Sequence, residues 1–140
     1  MTQNSTGTWV GTIIYGKAYT STRGKELYFE LELVQQQEYI TGIAKDTGGT
    51  GTSPDAAEIN GTFTDNKIDF VKQYATSHYF TPNGTQFDRS QKGHLIHYTG
   101  SFNPEENTFS GTWRIKNKVW FLGLIPLTKS SGGTWTMKRK

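Results

Sequence analysis

The sequence has no cysteine, which excludes disulfides and thiolate metal sites. Proline is scarce at four residues, and no apolar run approaches the roughly 20 residues of a membrane-spanning helix. Met1 to Ser5 is polar and lacks the apolar stretch of a secretory signal. A cytoplasmic location is therefore the expectation, and the glycosylation patterns at Asn4, Asn60 and Asn83 carry little weight. Charge of one sign is also modest. The net charge of +3 owes much to Lys138, Arg139 and Lys140, and the other charges are interspersed rather than striped. No nucleic-acid or membrane partner is expected from that pattern.

What the chain has instead is glycine (16 of 140 residues), threonine and aromatics (14%). These residues disfavour long helices and suit twisted strands joined by turns. The length fits one domain, residues 1–140, with a core of useful size. One pattern recurs: large apolar, any residue, Gly, any residue, apolar. It runs Trp9-Val-Gly11-Thr-Ile13, Ile40-Thr-Gly42-Ile-Ala44 and Ile59-Asn-Gly61-Thr-Phe63, then Tyr98-Thr-Gly100-Ser-Phe102 and Phe109-Ser-Gly111-Thr-Trp113, with a partial copy at Gly133-Thr-Trp135. Alternation by two puts the three key positions on one strand face. An inward Gly between bulky neighbours permits the coiling that closes a sheet into a barrel.

Two further segments alternate without the glycine: Leu27, Phe29, Leu31 and Leu33 share a face, as do Ile68, Phe70, Lys72 and Tyr74. The reading is all-β: an eight-stranded antiparallel up-and-down barrel with strands near 8–15, 26–35, 39–46, 56–64, 67–74, 94–102, 108–115 and 133–139. Connections alternate in length. Gln36–Glu38, Asp65–Asn66 and Asn103–Asn107 are short and close one end, while Gly16–Lys25, Thr47–Asp55, Ala75–Gly93 and Lys116–Gly132 are long loops over the other. Binding residues collect where long loops sit on a rigid scaffold.

Several polar groups continue the inward faces at the long-loop end: Asp46 beyond Ala44, Lys72 and Tyr74 beyond Phe70, His94 before Ile96, and Tyr15 from the first strand. A charge inside an apolar barrel is costly unless paired, so Lys72 calls for a partner, and Asp46 is the nearest candidate. Phe70, Tyr98, Trp113 and Trp135 form an aromatic floor beneath them. Together they suit a small, partly apolar ligand with a polar or anionic group. His94 and His97 face opposite sides of a strand, so no zinc pair is expected, nor any other metal or cofactor. No serine–histidine–aspartate constellation can be assembled without arbitrary choice.

Gly7-Thr8-Trp9 resembles the Gly-x-Trp opening of lipocalins and related calycin barrels. Thr6-Gly7-Thr8-Trp9, Ile40-Thr-Gly42 and Ile59-Asn-Gly61 resemble segments of the avidin and streptavidin group, and Phe70 to Tyr74 lies where that group has aromatics. The resemblance implies a calycin fold in which Trp9 plugs the closed end and Arg139 of the last strand packs over it. The biotin pocket does not carry over. Gly11 and Ala44 stand where the family has a polar and an aromatic residue, and Gly133 to Lys140 lacks its Asp. Biotin is not the expected ligand.

Val119-Trp-Phe-Leu-Gly-Leu-Ile-Pro-Leu127 is too apolar to face water throughout. It is expected to cover the mouth or to join subunits of a homo-oligomer. The family resemblance favours the second, with Trp120 lent to a neighbouring subunit. The functional expectation is a non-catalytic small-molecule-binding barrel. The alternatives are an oligomeric structural barrel with a filled core and, last, a cyclase or isomerase using Lys72 or His94.

Overall fold

The computed structural model describes residues 4–17, 22–75, 77–81, 84–88, 95–121 and 125–140, with the backbone alone at 77–81, 84–88, 116–121 and 125–131. Period-two alternation in the sequence becomes strand throughout. The strands are β1 (Gly7–Tyr15), β2 (Glu26–Gln36), β3 (Tyr39–Gly49), β4 (Ala57–Thr64), β5 (Lys67–Tyr74), β6 (Ser77–Thr81), β7 (Gly84–Asp88), β8 (Ile96–Asn103), β9 (Thr108–Phe121) and β10 (Ile125–Arg139). Eight of them close into an antiparallel barrel in the order β1-β10-β9-β8-β5-β4-β3-β2, while β6 and β7 pair with each other. The architecture is the expected up-and-down barrel and is consistent with a calycin-like fold.

Two expected loops are corrected. Residues 75–93 contain the β6–β7 hairpin, and 116–132 is largely strand. β9 and β10 run on together past the barrel, pairing from Lys116↔Ser130 to Phe121↔Ile125. Apolar alternation lapses there, which is why the sequence reads as loop. An antiparallel ribbon needs only its backbone ladder, which no side-chain pattern reports. The sixth barrel strand likewise begins at Ile96 rather than at 94.

The short turns close one end by local chemistry. Asp65 and Asn66 both take positive φ (53° and 62°), as a two-residue turn matched to strand twist requires. Asn103 Oδ1 accepts from the backbone N–H of Glu105 and Glu106, and Asn107 supplies the left-handed residue that re-enters β9.

Inward residues form one continuous core, from Trp9, Phe63, Phe102 and Phe109 at the closed end to Tyr15, Tyr74 and Trp113 at the other. Neighbouring rings crowd two of the inward glycines, Gly11 and Gly100. A Cβ on Gly11 would lie 2.4 Å from Phe29 Cζ, and one on Gly100 would lie 2.8 Å from Trp135 Cζ2. Most strand charges, among them Glu26, Glu32, Lys45, Glu58, Lys67 and Asp69, are exposed on the outer face.

Candidate functional site

Strand alternation places Lys72 inward on β5, between Ile59 of β4 and Ile96 of β8. It is 2% exposed. Its Nζ donates to Tyr98 Oη at 3.3 Å and stands 4.0 Å from Asp46 Oδ1. Three rings surround the ammonium, with centroids of Phe29, Tyr74 and Tyr98 at 5.6, 4.8 and 5.5 Å. Burial in this surround pushes the Lys72 pKa down from 10.5 to about 8, and the Asp46 carboxylate opposes the shift.

Alternation beyond Ile40, Gly42 and Ala44 carries Asp46 inward on β3, and a backbone irregularity follows it. β2 and β3 shift register between Tyr28 and Phe29, pairing Tyr28 with Gly48 but Phe29 with Asp46, so that Thr47 is the extra residue. The Asp46 side chain is fully buried. Its Oδ1 accepts from Tyr74 Oη at 2.7 Å and its Oδ2 from the Ser53 backbone N–H at 2.8 Å. The Tyr74 phenol is held well above its usual pKa, first by burial and then by the adjacent carboxylate. Ser53, 3% exposed, belongs to the cluster although alternation gave no sign of it, because it lies beyond β3 in a loop.

The other expected residues divide cleanly. Tyr15 lies near the same end, its hydroxyl donating to the Thr50 carbonyl at 2.9 Å and its ring edge-on to Trp113 at 5.7 Å. Phe70 stacks on Tyr98 at 4.7 Å, and Trp135 meets both rings edge-on. Trp135 and Trp113 are anchored through their indole N–H groups, Trp113 to Thr134 O and Trp135 to Thr99 O and Thr112 O. These rings form a fixed floor under Lys72. His94 lies outside the described residues. Trp120 is described only as backbone, paired with Pro126 in the ribbon.

No family model, curated protein or solved structure matches the chain. The site therefore has to be read from its own chemistry.

That chemistry is asymmetric along the barrel axis. The closed end bears a surface hollow of about 500 Å³ lined by Gln35, Gln37, Glu38 and Asp65 among others, of which Gln37, Glu38 and Asp65 are turn residues open to solvent. Among the described residues, no group of three or more His, Asp or Glu could hold a metal ion. The Lys72–Asp46–Tyr74 cluster, in contrast, holds both signs of charge within an aromatic enclosure.

Proposed function

We propose that the protein is a non-catalytic binder of a small, partly apolar molecule, taken at the end of the barrel where Lys72 lies and oriented by its ammonium. The observation that carries this reading is the state of Lys72. An ammonium offers three donors, yet its one hydrogen bond among the described residues is at 3.3 Å, and its ion pair is 4.0 Å long. Buried donors with so few acceptors mark a place for a further acceptor. A carboxylate or carbonyl oxygen of a ligand would meet that need, with its apolar part against Tyr98, Trp113 and Phe70.

The test is calorimetric titration with benzoate as probe. Binding by the wild type and about tenfold or greater weakening in Lys72→Met are expected, since a hydrogen bond to a charged group contributes about 1.5–3 kcal/mol. Equal affinity in the two proteins, or no binding to either, overturns the reading.

The filled structural barrel is favoured by a different observation, the occupation of the Gly11 and Gly100 gaps by Phe29 and Trp135. It predicts no binding of any small probe. A homo-oligomer through Val119–Leu127 is part of the same proposal. It is supported by the apolar sequence of the segment and by β9 and β10 pairing, among the described residues, only with each other over 116–121 and 125–130. Trp120→Glu with Phe121→Glu should lower the mass seen by light scattering. An unchanged mass removes the interface.

A further inference from the structure

We propose that Lys72 captures a small aldehyde or ketone covalently, holding it as an imine on Nζ. The inference rests on the binding reading above and names the class of ligand the same site takes. Three geometric features carry it. First, Nζ is enclosed by the rings of Phe29, Tyr74 and Tyr98, an apolar surround that favours amine over ammonium. Second, its single hydrogen bond among the described residues is long, and Asp46 Oδ1 at 4.0 Å is outside hydrogen-bond distance. The nitrogen can therefore turn toward a carbonyl carbon without dismantling a tight network. Third, a phenol and a carboxylate stand beside it, and imine formation needs a proton donor and a proton acceptor at the reacting atoms.

The chemistry balances without a redox partner. The Nζ lone pair attacks the carbonyl carbon, so a C–N bond forms as the carbonyl π pair moves onto oxygen. That oxygen takes a proton from the Tyr98 hydroxyl, and the nitrogen gives one up to Asp46, from which Tyr98 is restored. The resulting carbinolamine loses its hydroxyl together with the remaining nitrogen proton as water, leaving a C=N bond. Amine plus carbonyl becomes imine plus water.

With its pKa near 8, Lys72 carries about 300-fold more neutral amine at pH 7 than a lysine at 10.5. Among the described residues, the titratable groups that face it are Asp46 from β3, Tyr74 from β5 and Tyr98 from β8. Asp46 opposes the lowering and burial outweighs it.

The experiment uses the full chain with benzaldehyde and cyanoborohydride at pH 7, followed by digestion and mass mapping of benzylated lysines. Benzoate titration is run in parallel as the probe without a reactive carbonyl. Benzylation of Lys72 is expected at least about 30-fold faster than of Lys67, exposed on the same strand, or of Lys45, exposed on β3. Lys72→Arg, which keeps the charge but forms no such imine, should lose the adduct while retaining some benzoate affinity. Because the selectivity is measured within the wild type, it stands even where a variant folds poorly. Benzoate binding with no selective adduct at Lys72 overturns capture and leaves the binding reading intact. The absence of both overturns both, and a selective Lys72 adduct supports capture whatever benzoate does.

Discussion

The two ends of this barrel each hold one cation over aromatic rings, and they treat it in opposite ways. At the closed end Arg139 sits over Trp9 with Cζ 4.5 Å from the ring centroid. Its head remains exposed, and it donates to the backbone carbonyls of Thr6 (2.8 Å) and Asn4. Trp9 is anchored in turn through its indole N–H to the Ser5 carbonyl at 2.8 Å. At the other end Lys72 is buried and has few acceptors among the described residues. A guanidinium is always charged and offers a planar fork of donors, so it suits a permanent seal. An ammonium shifts its pKa readily when buried, so it suits a site that exchanges partners. The first cation finishes the fold, while the second is buried at some cost to it.

The largest effect should come from the closed end. Phe109 is fully buried against Trp9, Phe63 and Phe102, with ring centroids 4.8–5.1 Å apart. Phe109→Ala should cost about 3–5 kcal/mol in urea unfolding. Benzoate affinity should not change in the folded variant; a parallel loss there would show that the ends are not independent.

Next comes the buried pair. Asp46→Asn leaves the Lys72 charge without its counter-ion and should cost about 3 kcal/mol at pH 7. Adding Lys72→Met to Asp46→Asn should recover most of that loss, because the pair then contributes no charge. A double variant no more stable than Asp46→Asn would mean that the cluster acts through packing, not charge.

The pH profile sharpens the same contrast. The folded state holds Lys72 at about 8 against 10.5 for an ordinary lysine, so between those values the unfolded chain binds more protons. Stability from this group therefore rises with pH across that window, by at most about 3 kcal/mol. Tyr74 acts in the opposite direction. Its raised pKa means that stability is lost once the unfolded phenol ionises, above about pH 10. Unfolding midpoints measured from pH 7 to 10 should climb in the wild type and stay flat in Lys72→Met. A wild-type profile that falls across that range contradicts the assignment.

Arg139→Ala should have the smallest effect, about 1 kcal/mol, because the guanidinium is exposed and a cation–π contact at such a site is weak. Thermal unfolding would register it. A loss above about 3 kcal/mol would give the closed end a charged keystone comparable to the Lys72 pair.

Alternation alone determined most of the lumen. Lys72, Tyr74, Phe70, Tyr98, Trp113 and Trp135 all face inward, because successive side chains on a strand must point to opposite faces whatever the rest of the chain does. The closed end was legible for the same local reason, since Asp65-Asn66 and Asn103–Asn107 are residues that tolerate the turn backbone. Only the tertiary structure decided what fills the lumen. Gly11 leaves space on β1, but Phe29 of β2 takes it, and Trp135 takes the space at Gly100 two strands away. Ring placement across a barrel depends on what every facing strand presents, and no local pattern contains that. The Thr47 bulge and the Ser53 N–H that joins Asp46 were hidden likewise, as was the ribbon continuing β9 and β10. Each depends on backbone pairing between segments, which side-chain periodicity does not encode.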